Sequence, residues 1–304
     1  SFGIDRAATR TTMAAQMDRV PLGSASIKLT TIHLSPKIGG KGEAIPVKAH
    51  CLLLIVPGLA CLGVLAAGGN LARFLLVLCV YGPFLWITVT VHELGHAWAA
   101  SRCGAAPQEL LLWPLGGLLS VAVDGQTPRE RFLIAVSGPL THIPMTLLWV
   151  FLAWAFSGFH DEGELAEGWY QRKVAEKYGW DWFEELALTM YHMNILMALF
   201  NSIVPCWPLD GAVMAVSIGL MCGKPQDKVA AYCIYASAFF GLVIFGYGLY
   251  ELITGRGGAM WVFMGAWIAQ QTYLLFKERK EGRIDAHPLF ATPAPRAARP
   301  TAGV

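Results

Sequence analysis

Six stretches of this chain stay apolar for about the thickness of a bilayer, and nothing else in the sequence limits its fold so strongly. They run roughly over 49–69, 74–101, 132–157, 186–204 continuing into 210–222, 229–250 and 259–276, with the fourth broken at Pro205 and Pro208. A helix rises about 1.5 Å per residue, so about 18 or more apolar residues in a row can cross the hydrocarbon layer. The pattern predicts an all-α polytopic membrane protein of about six transmembrane helices. Composition agrees: the 304 residues are 55% hydrophobic and only 14% charged, against about a quarter charged in soluble domains. A soluble helical protein with a very large core is the weaker reading of runs this long.

The net charge of +2 is spread unevenly. With the N-terminus inside and six crossings, the inside segments are the N-terminal tail, 102–131, 223–228 and the C-terminal tail. They hold 7, 3, 2 and 6 of the 23 Lys and Arg residues. The positive-inside rule therefore puts both termini on the cytosolic side or its equivalent. The 158–185 loop carries eight acidic against three basic residues, as an outside loop would. No basic surface suited to nucleic acid is present. The seven cysteines form no CxxC pair and lie mostly in apolar runs, which reads as small membrane-core residues rather than a disulfide or zinc framework.

Three regions follow: a polar N-terminal tail over 1–44, a membrane-embedded domain over 45–276, and a disordered tail over 277–304. Residues 1–40 read as loosely packed. The first 30 weakly resemble an organelle transit segment, no secretory signal is read, and Met13 is a candidate start in a chain that opens at Ser1. Residues 45–50 alternate as a short strand would. Residues 109–123, punctuated by Pro114, Gly116 and Gly117, are too broken to span and predict a hairpin or strand at the membrane edge. Residues 160–185 look amphipathic and partly helical, and the Ala-, Pro- and Arg-rich stretch from about 285 reads as disordered.

Chemistry concentrates at Val91-His92-Glu93-Leu94-Gly95-His96. Glu93 is the only acidic residue between Ala44 and Gln108. A carboxylate that deep in an apolar run is costly, so it belongs on a protein-facing surface with a function. On a helix His92 and His96 sit one turn apart on one face, where both imidazoles can bind one metal with Glu93 beside them to handle a proton. A chance match, or a His/Glu pair lining a transport pore, stays open at this point. The second signal is Asn201-Ser-Ile-Val-Pro205-Cys-Trp-Pro208-Leu-Asp210-Gly211. Asp210 is the only charged residue between Glu185 and Lys224. Irregular backbone at membrane depth is tolerated only where protein or a wet cavity covers it. Asp210 is thus the natural third zinc ligand, with helix capping after Pro208 as the structural alternative.

Taken together, HELGH in the second run, Pro114-Leu-Gly-Gly117, Ser137-Gly138-Pro139-Leu140 and Asn-x-x-x-Pro-x-x-Pro-Leu-Asp-Gly in the fourth run resemble the site-2 protease family of intramembrane zinc metalloproteases. The resemblance spans about Ile45 to Met221 and is nearest to compact members with no PDZ or CBS domain. It implies that His92, His96 and Asp210 bind Zn2+ and that Glu93 is the catalytic base. Gly116 and Gly117 would belong to a membrane-edge sheet that pairs with an unwound substrate strand. Asn201 would orient substrate or stabilise the tetrahedral intermediate. Two departures stand out. His142 occupies a position where the family often has asparagine or a small polar residue, from which it could donate to substrate. Ala212-Val213 follow Asp210-Gly211 where many relatives have Gly-Arg, so a cation is missing.

The expected activity is therefore hydrolysis of peptide bonds in or near membrane-spanning segments of client proteins within the lipid bilayer. A catalytically inactive scaffold of the same fold, a metal-binding transporter and a prenyl-protein endopeptidase are the competing classes; the last leaves Pro-Leu-Asp-Gly unexplained. His192 and Asn194 read as hydrogen-bonded interior residues. The client, its cut site, the membrane, the oligomeric state and the gating are not legible.

Overall fold

In a computed structural model of the chain, residues 26–33, 44–114, 116–122, 126–157, 181–255 and 258–290 are described. The expectations for 1–25, for the 158–180 part of the acidic loop and for 291–304 lie outside them. Strands β1 (Ser26–His33), β2 (Ala44–His50), β3 (Ala106–Trp113) and β4 (Gly116–Ala122) accompany helices α1 (Ile55–Ala66), α2 (Leu71–Cys79), α3 (Leu85–Arg102), α4 (Pro128–Ser157), α5 (Asp181–Ile203), α6 (Asp210–Met221), α7 (Gln226–Ile253) and α8 (Ala259–Lys280).

Among the described residues four helices are long and apolar enough to cross a membrane, not six: Leu71–Arg102, Pro128–Phe156, Trp182–Ile203 and Gln226–Ile253. The first run gives only the short apolar helix Cys51–Ala66, and the continuation past Pro208 gives the equally short Asp210–Met221. The sixth run forms α8, but Gln270, Gln271 and Thr272 in its middle lower its hydropathy. The second run is one continuous span with a π-helical turn over Val80–Phe84, where Pro83 lacks an N–H and Gly82 leaves helical geometry.

The fold is mostly helical rather than all-α. Its four-stranded sheet has the order β1-β2-β3-β4, with β1/β2 and β3/β4 antiparallel and β2/β3 parallel. The hairpin expected around Pro114 is β3–β4, in which Leu112 faces Gly117 and Trp113 faces Gly116. β1 lies inside the segment read as a loose tail. Its Ile27, Leu29 and Ile32 alternate with Lys28 and Thr31, a pattern hidden by the polar average of the first 40 residues. One face of the sheet buries Ile45, Val47, Leu110, Leu112 and Leu119 against Val89, Ala97 and Ala100 of α3. The sheet thereby braces the helix that carries His92 and Glu93.

The start of α4 is held by a reciprocal capping box. Thr127 N–H donates to Glu130 Oε2 (2.8 Å), and Glu130 N–H donates to Thr127 Oγ1 (3.2 Å), with Pro128 as the first helical residue. The C-terminal stretch differs from the disordered tail expected after 285. Ile284, Leu289 and Phe290 are buried beside Trp207, Ala212 and Leu275. Full burial of an aromatic such as Phe290 contributes about 1.5–3 kcal/mol, enough to dock a short segment whose composition alone suggests disorder.

Candidate metal centre

α3 and α4 cross closely because Gly95 sits against Ser137 and Thr141; a Cβ there would lie 2.6 Å from the Ser137 carbonyl oxygen. The same approach brings Gly138 onto the paired histidines. A Cβ at Gly138 would fall 2.2 Å from His96 Nε2 and 2.8 Å from His92 Nε2, so only glycine leaves the face of the two rings open. The Pro205–Pro208 break then turns the chain so that Asp210 is the first residue of α6. Its carboxylate does not cap that helix; it straddles the two imidazoles. Oδ2 lies 3.1 Å from His92 Nε2 and Oδ1 lies 3.2 Å from His96 Nε2, while the two Nε2 atoms are 3.2 Å apart.

The hydrogen bonds behind the rings fix which nitrogens carry protons. His96 Nδ1 faces the Ile134 carbonyl at 2.7 Å, and a carbonyl only accepts, so Nδ1 holds the proton and Nε2 keeps a lone pair. On the other side Asn194 Nδ2 donates to the Met190 carbonyl (2.9 Å), which turns Asn194 Oδ1 toward His142 Nδ1 (2.9 Å). His142 Nδ1 therefore donates, and its Nε2 accepts from His92 Nδ1 at 3.0 Å. His92 Nε2 is left with a lone pair as well. With both imidazoles neutral, three lone-pair donors thus meet at 3.1–3.2 Å. A cation reconciles this arrangement. Ligands about 2.0–2.1 Å from a tetrahedral zinc ion lie roughly 3.3 Å apart, so His92, His96 and Asp210 fit that ion.

Glu93 lies beside His92 on α3, 7% exposed, and accepts from the backbone of Leu119 on β4. β4 passes so close that a Cβ at Gly117 would sit 2.3 Å from Glu93 Cγ. The histidines, Glu93, Asp210, Gly116, Gly117 and Asn201 all line one cavity of about 230 Å³. Trp113 and Trp267 also line it, their rings meeting edge-on 4.7 Å apart.

His142 is not among the lining residues. It is 1% exposed and stands behind His92, so a direct contact with substrate, expected from the sequence, is not what this position offers. The four-residue spacing from Gly138 placed it on the correct helix face but did not say what lay between it and the cavity. Asn194 is an interior residue as expected, whereas His192 is exposed and bonded to the Leu188 carbonyl. Sequence reasoning missed Gln126, Arg131, Gln271 and the Pro288–Leu289 segment, all on the cavity wall. In the sequence Arg131 is only a cation between two apolar runs.

Comparison with known proteins points the same way. The chain is 25% identical to Rip3 of Mycobacterium tuberculosis over 280 residues, which cover 90% of this chain and 61% of that protein. It is 26% identical to zinc metalloprotease MJ0392 of Methanocaldococcus jannaschii over 197 residues, 62% of this chain and 47% of the relative. The chain thus spans less than two thirds of either relative. The solved structure of the site-2 protease from Methanocaldococcus jannaschii has a similar fold, with a TM-score of 0.50 at 19% identity over 80% of this chain and 95% of that one. The model of peptidase family M50 matches residues 83–244. That match takes in the HELGH helix, the hairpin, α4 and the Asp210 turn across more than half of the sequence, and on it the chain belongs to peptidase family M50, the site-2 protease family.

Proposed function

We propose that this membrane protein is a zinc metalloendopeptidase cutting peptide bonds in or near transmembrane segments of client proteins. The observation that carries the reading is the meeting of three metal-ligating side chains, His92, His96 and Asp210, beside the buried Glu93. A zinc ion held there would polarise the scissile carbonyl and lower the pKa of an attacking water. Glu93 takes the proton from that water and delivers it to the leaving amine. His142 and Asn194 hold the His92 ring in its working tautomer, and the Ile134 carbonyl does the same for His96. Asn201, on the cavity wall, donates to the carbonyl oxygen as charge develops on it.

A client helix hides its carbonyls in its own hydrogen bonds, so it must unwind before attack. β4 is an edge strand of the sheet and lies against Glu93, and an unwound client segment adding to that edge gains backbone hydrogen bonds with little demand on its sequence. Both termini lie on the cytosolic side in this reading, following the Lys/Arg distribution.

The test is metal analysis and cleavage of a panel of membrane-spanning peptides by the full chain in proteoliposomes, wild type against Glu93→Gln. The expected result is one zinc per chain in both proteins, cleavage by the wild type alone, and faster cutting where Gly or Pro loosens the peptide helix. Solute transport that survives Glu93→Gln, without cleavage by either protein, would overturn it in favour of a transporter.

A further inference from the structure

Arg131 is a buried cation on the wall of the same cavity, only 6% exposed, and its guanidinium is only partly used. Nη1 donates to the carbonyls of Pro288 and Leu289, each at 2.9 Å. Nε and Nη2 have no partner among the described residues. Those two nitrogens form the edge with which arginine grips a carboxylate side-on. The chain shows the same edge in use elsewhere: Arg279 holds Asp227 through Nε at 2.7 Å and Nη2 at 2.8 Å. No acidic side chain among the described residues fills that role for Arg131. Gln126, on the same wall and 3% exposed, leaves its amide oxygen unpartnered too. Leaving a buried charge with three of its five N–H donors unpaired is costly, which favours arrival of an anion.

Placement ties this edge to the chemistry. Arg131 sits three residues before Ile134 on α4, and the Ile134 carbonyl holds His96. Arg131 thus lies about one helical turn before the residue that holds His96, and it lines the same cavity as the metal ligands. We propose that Arg131 is a specificity-determining residue that pairs with a carboxylate of the client close to the cut bond. Gln126 Oε1 takes a neighbouring peptide N–H, a donor that a free inorganic anion does not bring. The inference rests on the peptidase reading above.

The experiment separates binding from turnover. Fluorescent membrane-spanning peptides are prepared in pairs, with a single Asp or Asn stepped through positions flanking a Gly-Pro break. One further pair ends in a free or an amidated C-terminus at the same depth. Binding to full-length Glu93→Gln protein in proteoliposomes is measured alongside cleavage by the wild type. At one or two positions the Asp peptide is expected to bind roughly 10–100-fold tighter than its Asn partner. Arg131→Met abolishes that preference and Arg131→Lys keeps part of it. A gain only from the free C-terminus would assign the carboxylate to a chain end rather than a side chain. Equal binding within twofold for every pair in the Arg131-containing protein overturns the proposal, whatever the variants do, and leaves Arg131 as the anchor of Pro288–Leu289. Charge-dependent binding with no cleavage of any peptide would instead overturn the peptidase reading and keep the subsite.

Discussion

Two walls around the same centre treat their buried polar atoms in opposite ways. Behind His92 every hydrogen-bonding group is matched, from His92 through His142 and Asn194 to the Met190 carbonyl. On the cavity wall near the start of α4, among the described residues, Arg131 keeps two nitrogens and Gln126 one oxygen without partners. A matched buried network rigidifies and specifies one geometry, whereas an unmatched one carries a desolvation cost that only an incoming group relieves. The difference separates a wall that orients the ligands from a wall that receives something.

The largest effect is expected at Glu93, beside the paired histidines. Glu93→Gln keeps the hydrogen-bonding shape of the side chain but cannot take a proton. Hydrolysis of a membrane-spanning peptide should fall by about 10²–10⁴-fold, while zinc content stays at the wild-type value. Retained cleavage would remove Glu93 from the base role.

Next comes the matched wall. His142→Leu or Asn194→Leu breaks the chain that fixes the His92 tautomer, and zinc affinity in a chelator competition should drop by roughly 10–100-fold. His142→Asn, which restores a shorter polar side chain, should recover part of it. Arg131→Met should leave zinc affinity within about twofold, because its guanidinium touches none of the ligands or their partners. If both walls change zinc affinity equally, the distinction drawn between them fails. Gly117→Ala acts between the two: its Cβ would collide with Glu93 Cγ, so turnover should fall by roughly tenfold with zinc affinity unchanged.

Much of this was legible in the chain because local rules produced it. A four-residue spacing puts His92 and His96 on one helix face, and the rarity of charge in apolar runs singles out Glu93 and Asp210 without any tertiary knowledge. Pro114, Gly116 and Gly117 gave away the hairpin for the same reason. What escaped depends on distance in sequence. Pairing of β1 with β2, and of β2 with β3 across about 60 residues, leaves only weak alternation in the strands themselves. Apolar run length does not distinguish a full span from half-length helices such as Asp210–Met221. Arg131 looked like a loop cation because its partners are the carbonyls of Pro288 and Leu289, more than 150 residues away, and backbone carbonyls carry no sequence signature. Spacing put His142 on the correct face of α4 but not behind another ring.

The smallest expected effect is the sharpest check on what an unpartnered atom means. Ser120 Oγ is buried and unpaired like the Arg131 edge, yet Ser120 is not among the residues lining the cavity. No ligand can relieve it, so its hydroxyl is a plain cost. Ser120→Ala removes an unsatisfied group and leaves almost the same volume. Stability should be unchanged or rise by up to about 1 kcal/mol, read as an equal or higher midpoint of thermal unfolding in detergent, with peptide binding unaltered. Asn194→Leu makes the opposite change, orphaning His142 Nδ1 in a matched network, and should lower the midpoint. If Ser120→Ala is the more damaging of the two, the hydroxyl has a partner such as a bound water, and lack of a protein partner would no longer by itself mark the Arg131 wall as a place where a ligand lands.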